Sequence, residues 1–293
     1  MLNGWNAAGR RAFCLHAAQV AVSSLYDELV LYPKPGLVSL VDSGSHDDMT
    51  AETFFRSLFS LRGYFVRITA AGMHGAPFHV LKQLGMEAEH RMLRATGGIN
   101  THRGAIFALG LLCAAAGHCQ ARGLPLNSAN IRAALMTVWG PDLAMHARQC
   151  AGHSHGLQVA QRYAASGARE EAALGMPSVF NLALPAMQAS LAGSGCWERA
   201  RIQALFVLMA NISDTNVYFR GGEDGARMVS ECAAGFLARG GTAAADWRSH
   251  ALACHERFVA ARLSPGGAAD LLGAACFVHK LDRQTADGHR RRP

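Results

Sequence analysis

Residues 101–122, THRGAIFALGLLCAAAGHCQAR, decide the fold. From Gly104 to Gln120 no Asp, Glu, Lys or Arg occurs. The stretch is too short, and too interrupted by Gly, His and Cys, for a membrane span of about 20 apolar residues. It lacks the period-2 alternation of a half-buried strand, and alanine is the best helix former. It predicts a central helix that is apolar all round and therefore enclosed by other helices.

Outward from it, the same composition predicts helices over 11–31, 50–71, 78–95, 128–138, 142–166, 179–192, 197–213, 223–238, 243–262 and 267–283. Thr50 suits an N-cap, with Glu52 in the first turn. Pro33-Lys34-Pro35-Gly36 stops the first helix, because proline cannot continue it. The following LVSLVDSGSHDDM, 37–49, reads as too polar and too rich in Gly and Ser for core. No strand pattern, βαβ rhythm, internal repeat or low-complexity linker is present. The expected fold class is all-α: a single compact multi-helix domain of about ten helices over 1–284, with 285–293 a disordered basic tail.

Composition narrows the function. Of 293 residues, 17% are charged and 50% hydrophobic, enough to build a large core. The net charge of +7 and pI near 9.2 favour anionic partners such as nucleotides. Nucleic acid is the weaker choice, because the basic residues are dispersed and aromatics make up only 8%. The eight cysteines form no CxxC pair, and most sit in apolar helical stretches as small hydrophobes. The N-terminus lacks the basic-then-apolar order of a signal peptide. A cytoplasmic protein that binds neither membrane nor nucleic acid is expected.

Four breaks between helices carry polar groups flanked by glycine. They are Lys34-Pro35-Gly36 leading to Asp42 and then 44–49, residues 96–104, residues 214–224, and residues 264–270. Glycine-rich turns that open a helix leave backbone N–H groups suited to phosphate, as at Gly97-Gly98 and Gly266-Gly267. Lys34, Arg103 and Arg220 add positive charge. Asp47, Asp48, Asp214, Glu223 and Asp224 are hard oxygen donors suited to Mg²⁺ held together with phosphates. Any one of these breaks alone reads more simply as a cap or a solvated turn.

Other features take the plainer reading. His153 and His155 lie two apart in a helical stretch and face different ways. Cys254-His255 lacks a third partner, and Phe54, Phe55, Phe59 and Tyr64 at helical spacing read as core. Walker A and GxGxxG are absent, which argues against a P-loop NTPase and a Rossmann dehydrogenase.

The breaks carry a resemblance. KPGLVS at 34–39, GSHDDM at 44–49, GGINTHRGAIFALGLL at 97–112, GAREEAALGMPSV at 167–179, DTNVYFRGG at 214–222 and SPGGAADLL at 264–272 resemble, in order, the triphosphoribosyl-dephospho-CoA synthases. The resemblance implies a transferase that converts ATP and 3′-dephospho-CoA to 2′-(5″-triphosphoribosyl)-3′-dephospho-CoA and adenine. The product is the prosthetic-group precursor for an acyl carrier protein, attached by a separate transferase. Where the citrate lyase branch carries Asp after KPGLV, this chain has Ser39, with Asp42 nearby, and His102-Arg103 stands for a common His-Lys. Ser39 together with GSHDDM looks more like the malonate decarboxylase branch.

That reaction attacks carbon C1′ of the ATP ribose, through a transition state resembling an oxocarbenium ion. It calls for a carboxylate, a donor to the leaving base, and neutralisation of the triphosphate. The candidate catalytic residues are Asp47, Asp48, Asp214, Glu171, His46 and His102. The candidate substrate and phosphate ligands are Lys34, Gly97, Gly98, Asn100, Thr101, Arg103, Asn216, Arg220, Gly221, Gly222, Ser264, Gly266 and Gly267. Mg²⁺ is expected on Asp47, Asp48 and Asp214, with Glu223 or Asp224 near. A homo-oligomer is left open. Two rival functions differ in class: a Mg²⁺-dependent helical hydrolase of ADP-ribose-type N-glycosides, and a non-catalytic nucleotide-binding module.

Overall fold

A computed structural model describes residues 7–148 and 167–290, with side chains as far as Arg283. The helices are α1 (Ala7–Leu29), α2 (Ala51–Ser60), α3 (Arg62–Met73), α4 (Phe78–Ala95), α5 (Arg103–Ala121), α6 (Ser128–Arg148), α7 (Ala168–Ala173), α8 (Leu184–Ser194), α9 (Trp197–Asn211), α10 (Thr215–Ala238), α11 (Trp247–Ala260) and α12 (Gly266–Arg290). A π-helical turn, Ser178–Ala183, leads into α8, and a 3₁₀ turn, Gly241–Ala243, follows α10. No strand occurs among the described residues.

The apolar stretch is indeed the central helix. α5 packs against α1, α3, α4, α6 and α12. It is long and apolar enough to cross a membrane by length and composition alone, but 83% of its most apolar window is buried inside the fold. Its closest neighbour is α3. A Cβ at Gly117 would fall 2.3 Å from the Thr69 carbonyl oxygen, so only glycine lets the two backbones approach this far. Tyr64, fully enclosed on α3, donates its hydroxyl to the Ile106 carbonyl at 2.8 Å.

Thr50 caps α2 as predicted, in a capping box with Thr53. The predicted 50–71 helix breaks at Leu61, where α2 ends and α3 begins. The predicted break between 138 and 142 does not occur: α6 runs through Pro141. Residues 149–166, including His153, His155 and the rest of the predicted 142–166 helix, lie outside the described residues. α12 continues to Arg290, into the stretch read as a tail from 285.

Two further expectations are corrected. Of the 37–49 stretch read as too polar for core, Leu37, Val38 and Ser39 are buried, together with the preceding Pro33 to Gly36, while residues 40–49 are not. The polar groups of 33–39 are satisfied by partners on other elements, described below. Phe59 is 58% exposed rather than core, while Tyr64 is buried.

Candidate active site

The four glycine-flanked breaks, scattered over more than 200 residues, come together around the N-terminus of α12. Asp214 is the N-cap of α10 and accepts from the Asn216 N–H at 2.9 Å. It also accepts from Ala268 N–H, in the first turn of α12, at 3.0 Å. One carboxylate thus holds two helix ends, with Gly267 and Val217 N–H adding to the cradle. Burial raises the Asp214 carboxyl above the usual range, and these N–H groups pull it part of the way back. Asn216 lies against Gly266.

Asp270, part-buried one turn further along α12, reaches the N-terminus of α5 and accepts from Ala105 N–H. A Cβ at Gly104 would fall 2.0 Å from its Oδ2, so the glycine admits the carboxyl to this spot. Burial, with Glu28 and Asp214 close by, raises Asp270 well above the usual carboxylate range.

Lys34 is 1% exposed and its Nζ lies 2.5 Å from Glu28 Oε1 on α1. Burial lowers its ammonium, and the Glu28 charge opposes that. A buried lysine with a buried partner forms a structural pair; it does not present a free cation to solvent. The carbonyl of Lys34 accepts from His255 Nδ1 at 3.2 Å, and His255 Nε2 lies 3.5 Å from Asp42 Oδ2. Ser39 and Asp42 bracket the next turn, the Ser39 N–H donating to the Asp42 carbonyl at 2.9 Å. His255 therefore holds the Lys34 turn, the structural role read for it.

The 44–48 loop docks on the α11–α12 connection. Ser45 donates to the Leu263 carbonyl at 2.6 Å. Arg220 donates to the Ser45 carbonyl at 3.0 Å and to His46 Nδ1 at 3.0 Å. Because arginine only donates, Nδ1 is an acceptor and the His46 proton sits on Nε2, 2.8 Å from Ser264 Oγ. Burial, and then Arg220, lowers the His46 pKa, so His46 is a neutral ring here and not an acid. Asp48 Oδ1 is 3.6 Å from its Nδ1, and Asp47 is 3.6 Å from Arg262. Both aspartates are largely exposed, beside two arginines.

On the 96–104 turn, Gly97 and Gly98 are exposed and left-handed, with φ +70° and +92°. The Asn100 side chain accepts from Arg103 N–H, and the Arg103 guanidinium pairs with Glu89. His102, 3% exposed, sits at 2.6 Å from Ser57 Oγ through Nδ1. Burial, with Lys34 nearby, lowers it to about 3.

Glu171 accepts from the Ser178 N–H at 2.7 Å and hydroxyl at 3.0 Å, and so holds the π-helical turn. A Cβ at Gly167 would lie 4.0 Å from Thr215 Cγ2, so this motif also abuts the 214 break. That break is helical where a turn was predicted. α10 starts at Thr215 and bends at Gly222, whose φ of 60° and ψ of −152° are not helical. Gly221 packs on Leu263.

The five predicted metal carboxylates are not gathered. Among the described residues no group of three or more His, Cys, Asp or Glu is placed to hold an ion. Asp214 is engaged by backbone N–H groups, Asp224 pairs with Arg227 at 2.6 Å, and Glu223 lines a separate open cleft of about 470 Å³ with Ser213 and Tyr218. Likewise the Gly267 and Ala268 N–H groups serve Asp214, and Gly98 N–H serves the Leu93 carbonyl; neither is open to phosphate. Sequence reasoning missed Glu28, Ser57, Arg262 and Asp270. Only Asp270 left a signal, as the acid of SPGGAADLL.

The model of the ATP:dephospho-CoA triphosphoribosyl transferase family matches residues 14–289. The chain belongs to this family. It is a transferase, and the family acts on ATP and dephospho-CoA. A relative from Acinetobacter calcoaceticus, "Probable 2-(5''-triphosphoribosyl)-3'-dephosphocoenzyme-A synthase", is 40% identical over 265 residues, covering 90% of each chain. A Pseudomonas putida relative of the same name is 40% identical over 273 residues, covering 90% of this chain and 94% of its own. One from Vibrio cholerae serotype O1 (strain ATCC 39315 / El Tor Inaba N16961) is 35% identical over 288 residues, covering 94% and 92%. No solved structure matches the chain. Five of the six motifs quoted above, all but 167–179, meet at the α12 N-terminus, and 167–179 abuts Thr215.

Proposed function

We propose that this site joins the ribose 2′-hydroxyl of 3′-dephospho-CoA to C1′ of ATP. The C1′–O bond forms, the C1′–N9 bond breaks with its electron pair leaving on adenine, and the hydroxyl proton ends on adenine. The observation that carries this reading is the convergence of all four glycine-flanked breaks on one helix end, in a chain of this family.

The geometry supports a division of roles. Arg220 and Arg262, with Asp47 and Asp48, form a charged and accessible rim suited to the triphosphate. Asp214, Asp270 and the Lys34–Glu28 pair lie deeper and hold the helix ends in place. Exposed Asp47 and Asp48 fit a Mg²⁺ that completes its shell with phosphate oxygens, since Mg²⁺ is usually held by one or two carboxylates plus substrate phosphates. Such an ion neutralises the triphosphate. In this reading one of the two aspartates takes up the hydroxyl proton and passes it on to adenine. Glu171 supports the wall through Ser178, and Arg103, Asn100 and Gly97 shape the turn that carries His102.

The product then serves as prosthetic-group precursor for the acyl carrier protein of malonate decarboxylase, passed on by a separate transferase in the cytoplasm. Ser39 and GSHDDM support that branch over citrate lyase. The test is to incubate the protein with ATP and Mg²⁺, with and without dephospho-CoA, and to follow adenine by chromatography and the product by mass spectrometry. Adenine formed only with dephospho-CoA, together with a mass increase equal to triphosphoribose, supports the reading. Adenine release without dephospho-CoA supports the hydrolase, and ATP binding without turnover the non-catalytic module.

A further inference from the structure

His102 is buried at the N-cap of α5, and its Nε2 has no hydrogen-bond partner. Its other nitrogen does. Thr101 Oγ1 donates to Ser57 Oγ at 2.7 Å, the nearer and harder of its two acceptors, with Met92 Sδ at 3.2 Å, and Ser57 Oγ lies 2.6 Å from His102 Nδ1. Ser57 is fully buried. With one oxygen lone pair taken by Thr101, the Ser57 proton has His102 Nδ1 as its partner. Nδ1 is then the acceptor, and the ring proton must sit on Nε2.

The alternative places the proton on Nδ1 and leaves the Ser57 hydroxyl hydrogen buried without a partner. Buried polar groups are satisfied in the great majority of cases. The relay uses every hydrogen but one, the buried Nε2–H, which is left free to donate. The surroundings select the acceptor it suits. The Phe54 ring meets the imidazole edge-on at 4.9 Å between centroids. A neutral N–H donor beside an aromatic ring suits an uncharged heteroaromatic nitrogen. A polyphosphate would call for cations, which this turn directs elsewhere: Arg103 pairs with Glu89 and Lys34 with Glu28.

We propose that Thr101 and Ser57 are positioning residues that fix His102 as the Nε2–H tautomer, making it a neutral hydrogen-bond donor to a ring nitrogen of the departing adenine. This rests on the reaction proposed above. As C1′–N9 breaks and the electron pair moves onto the purine, the Nε2–H bond strengthens against the growing charge. His102 keeps its own proton throughout; the proton that adenine gains is the one released by the 2′-hydroxyl. The low basicity of the ring accords with this, since no imidazolium is needed.

The test uses the full-length protein labelled with ¹⁵N-histidine at neutral pH, with His102 assigned by its loss in His102→Gln. The wild type and Thr101→Ser should show the Nε2–H pattern in long-range ¹H–¹⁵N spectra. Ser57→Ala and Thr101→Val, checked for folding by thermal melting, should show mixed tautomers. Adenine release should fall about a hundredfold in kcat for Ser57→Ala and His102→Gln, the scale of one preorganised donor. KM for dephospho-CoA should hardly move, and Thr101→Ser should restore the rate. A wild-type His102 that is Nδ1–H or doubly protonated overturns the relay. A Ser57→Ala protein that loses the tautomer but keeps its kcat overturns its use in catalysis. A wild type with the Nε2–H pattern that forms no adenine from both substrates overturns the proposed reaction, and adenine as the acceptor with it, while the relay stands.

Discussion

Asp214 and Ala268, 54 residues apart in sequence, are tied by a 3.0 Å hydrogen bond from the α12 backbone to the α10 cap. The same carboxylate serves both helix ends. Asp214→Asn replaces one acceptor oxygen with an amide NH₂, a donor facing backbone donors. It should lower unfolding stability by about 1–3 kcal/mol, read by chemical denaturation. If Asp214 instead acts mainly as a catalytic or metal carboxylate, the variant will melt like the wild type and lose adenine release.

Removing Lys34 alone leaves the Glu28 charge buried. Lys34→Ala should cost about 3–5 kcal/mol of stability. The double variant Lys34→Met with Glu28→Gln should recover most of that loss, because neither charge remains to be desolvated. Thermal melts of the three proteins decide it. A stable Lys34→Ala protein with weakened ATP binding would return Lys34 to the role of phosphate ligand.

Arg220 joins the 44–48 loop to the α11–α12 connection through Ser45, His46 and Arg262. Arg220→Ala should raise the Kd for ATP by about tenfold, in line with the 1–3 kcal/mol of a charge-assisted contact. Isothermal titration with ATP and Mg²⁺ measures it. Asp47→Asn together with Asp48→Asn should raise the Mg²⁺ concentration needed for half-maximal adenine release, and EDTA should stop the wild-type reaction.

Asp270 gives a pH signature. A carboxyl whose folded pKa lies above its ordinary 3.8 holds its proton more tightly in the folded state. Its contribution to stability is therefore greatest at low pH and declines as pH rises from about 3.8 through the folded value. Asp270→Asn mimics the protonated form at every pH. The variant should match the wild type near pH 3 and gain on it as the pH rises from about 3.8 towards 8, as read by melting temperature. A variant whose margin against the wild type is the same at pH 8 as at pH 3 would mean that Asp270 is ionised in the fold.

The helices were legible because alanine and apolar periodicity act locally. Thr50, the 78–95 helix and the buried α5 followed from that alone. The 33–39 turn was not legible, because its polarity is cancelled by Glu28, His255 and Asp42 from outside the segment. The start of α10 was hidden for a related reason: TNVYFRGG has the composition of a turn, and Asp214 makes it a helix by capping it. Of the site, the breaks were readable and their meeting point was not. Residues such as Ser57 have no motif of their own and matter only through a neighbour brought from 45 positions away.

The bend at Gly222 divides α10 in function as well as in shape. Residues 215–221 are fastened at one end to α12 through Asp214 and at the other to the 44–48 loop through Arg220. Beyond Gly225, which still packs on Leu263, Ser230 donates to the Ala210 carbonyl, Cys254 Sγ lies against the Cys232 carbonyl, and Phe236 stacks on Phe206 of α9. For redesign, the glycine is therefore a seam. Substitutions well beyond it, past Gly225, can be selected for robustness without retuning how substrates are held, whereas those before it cannot.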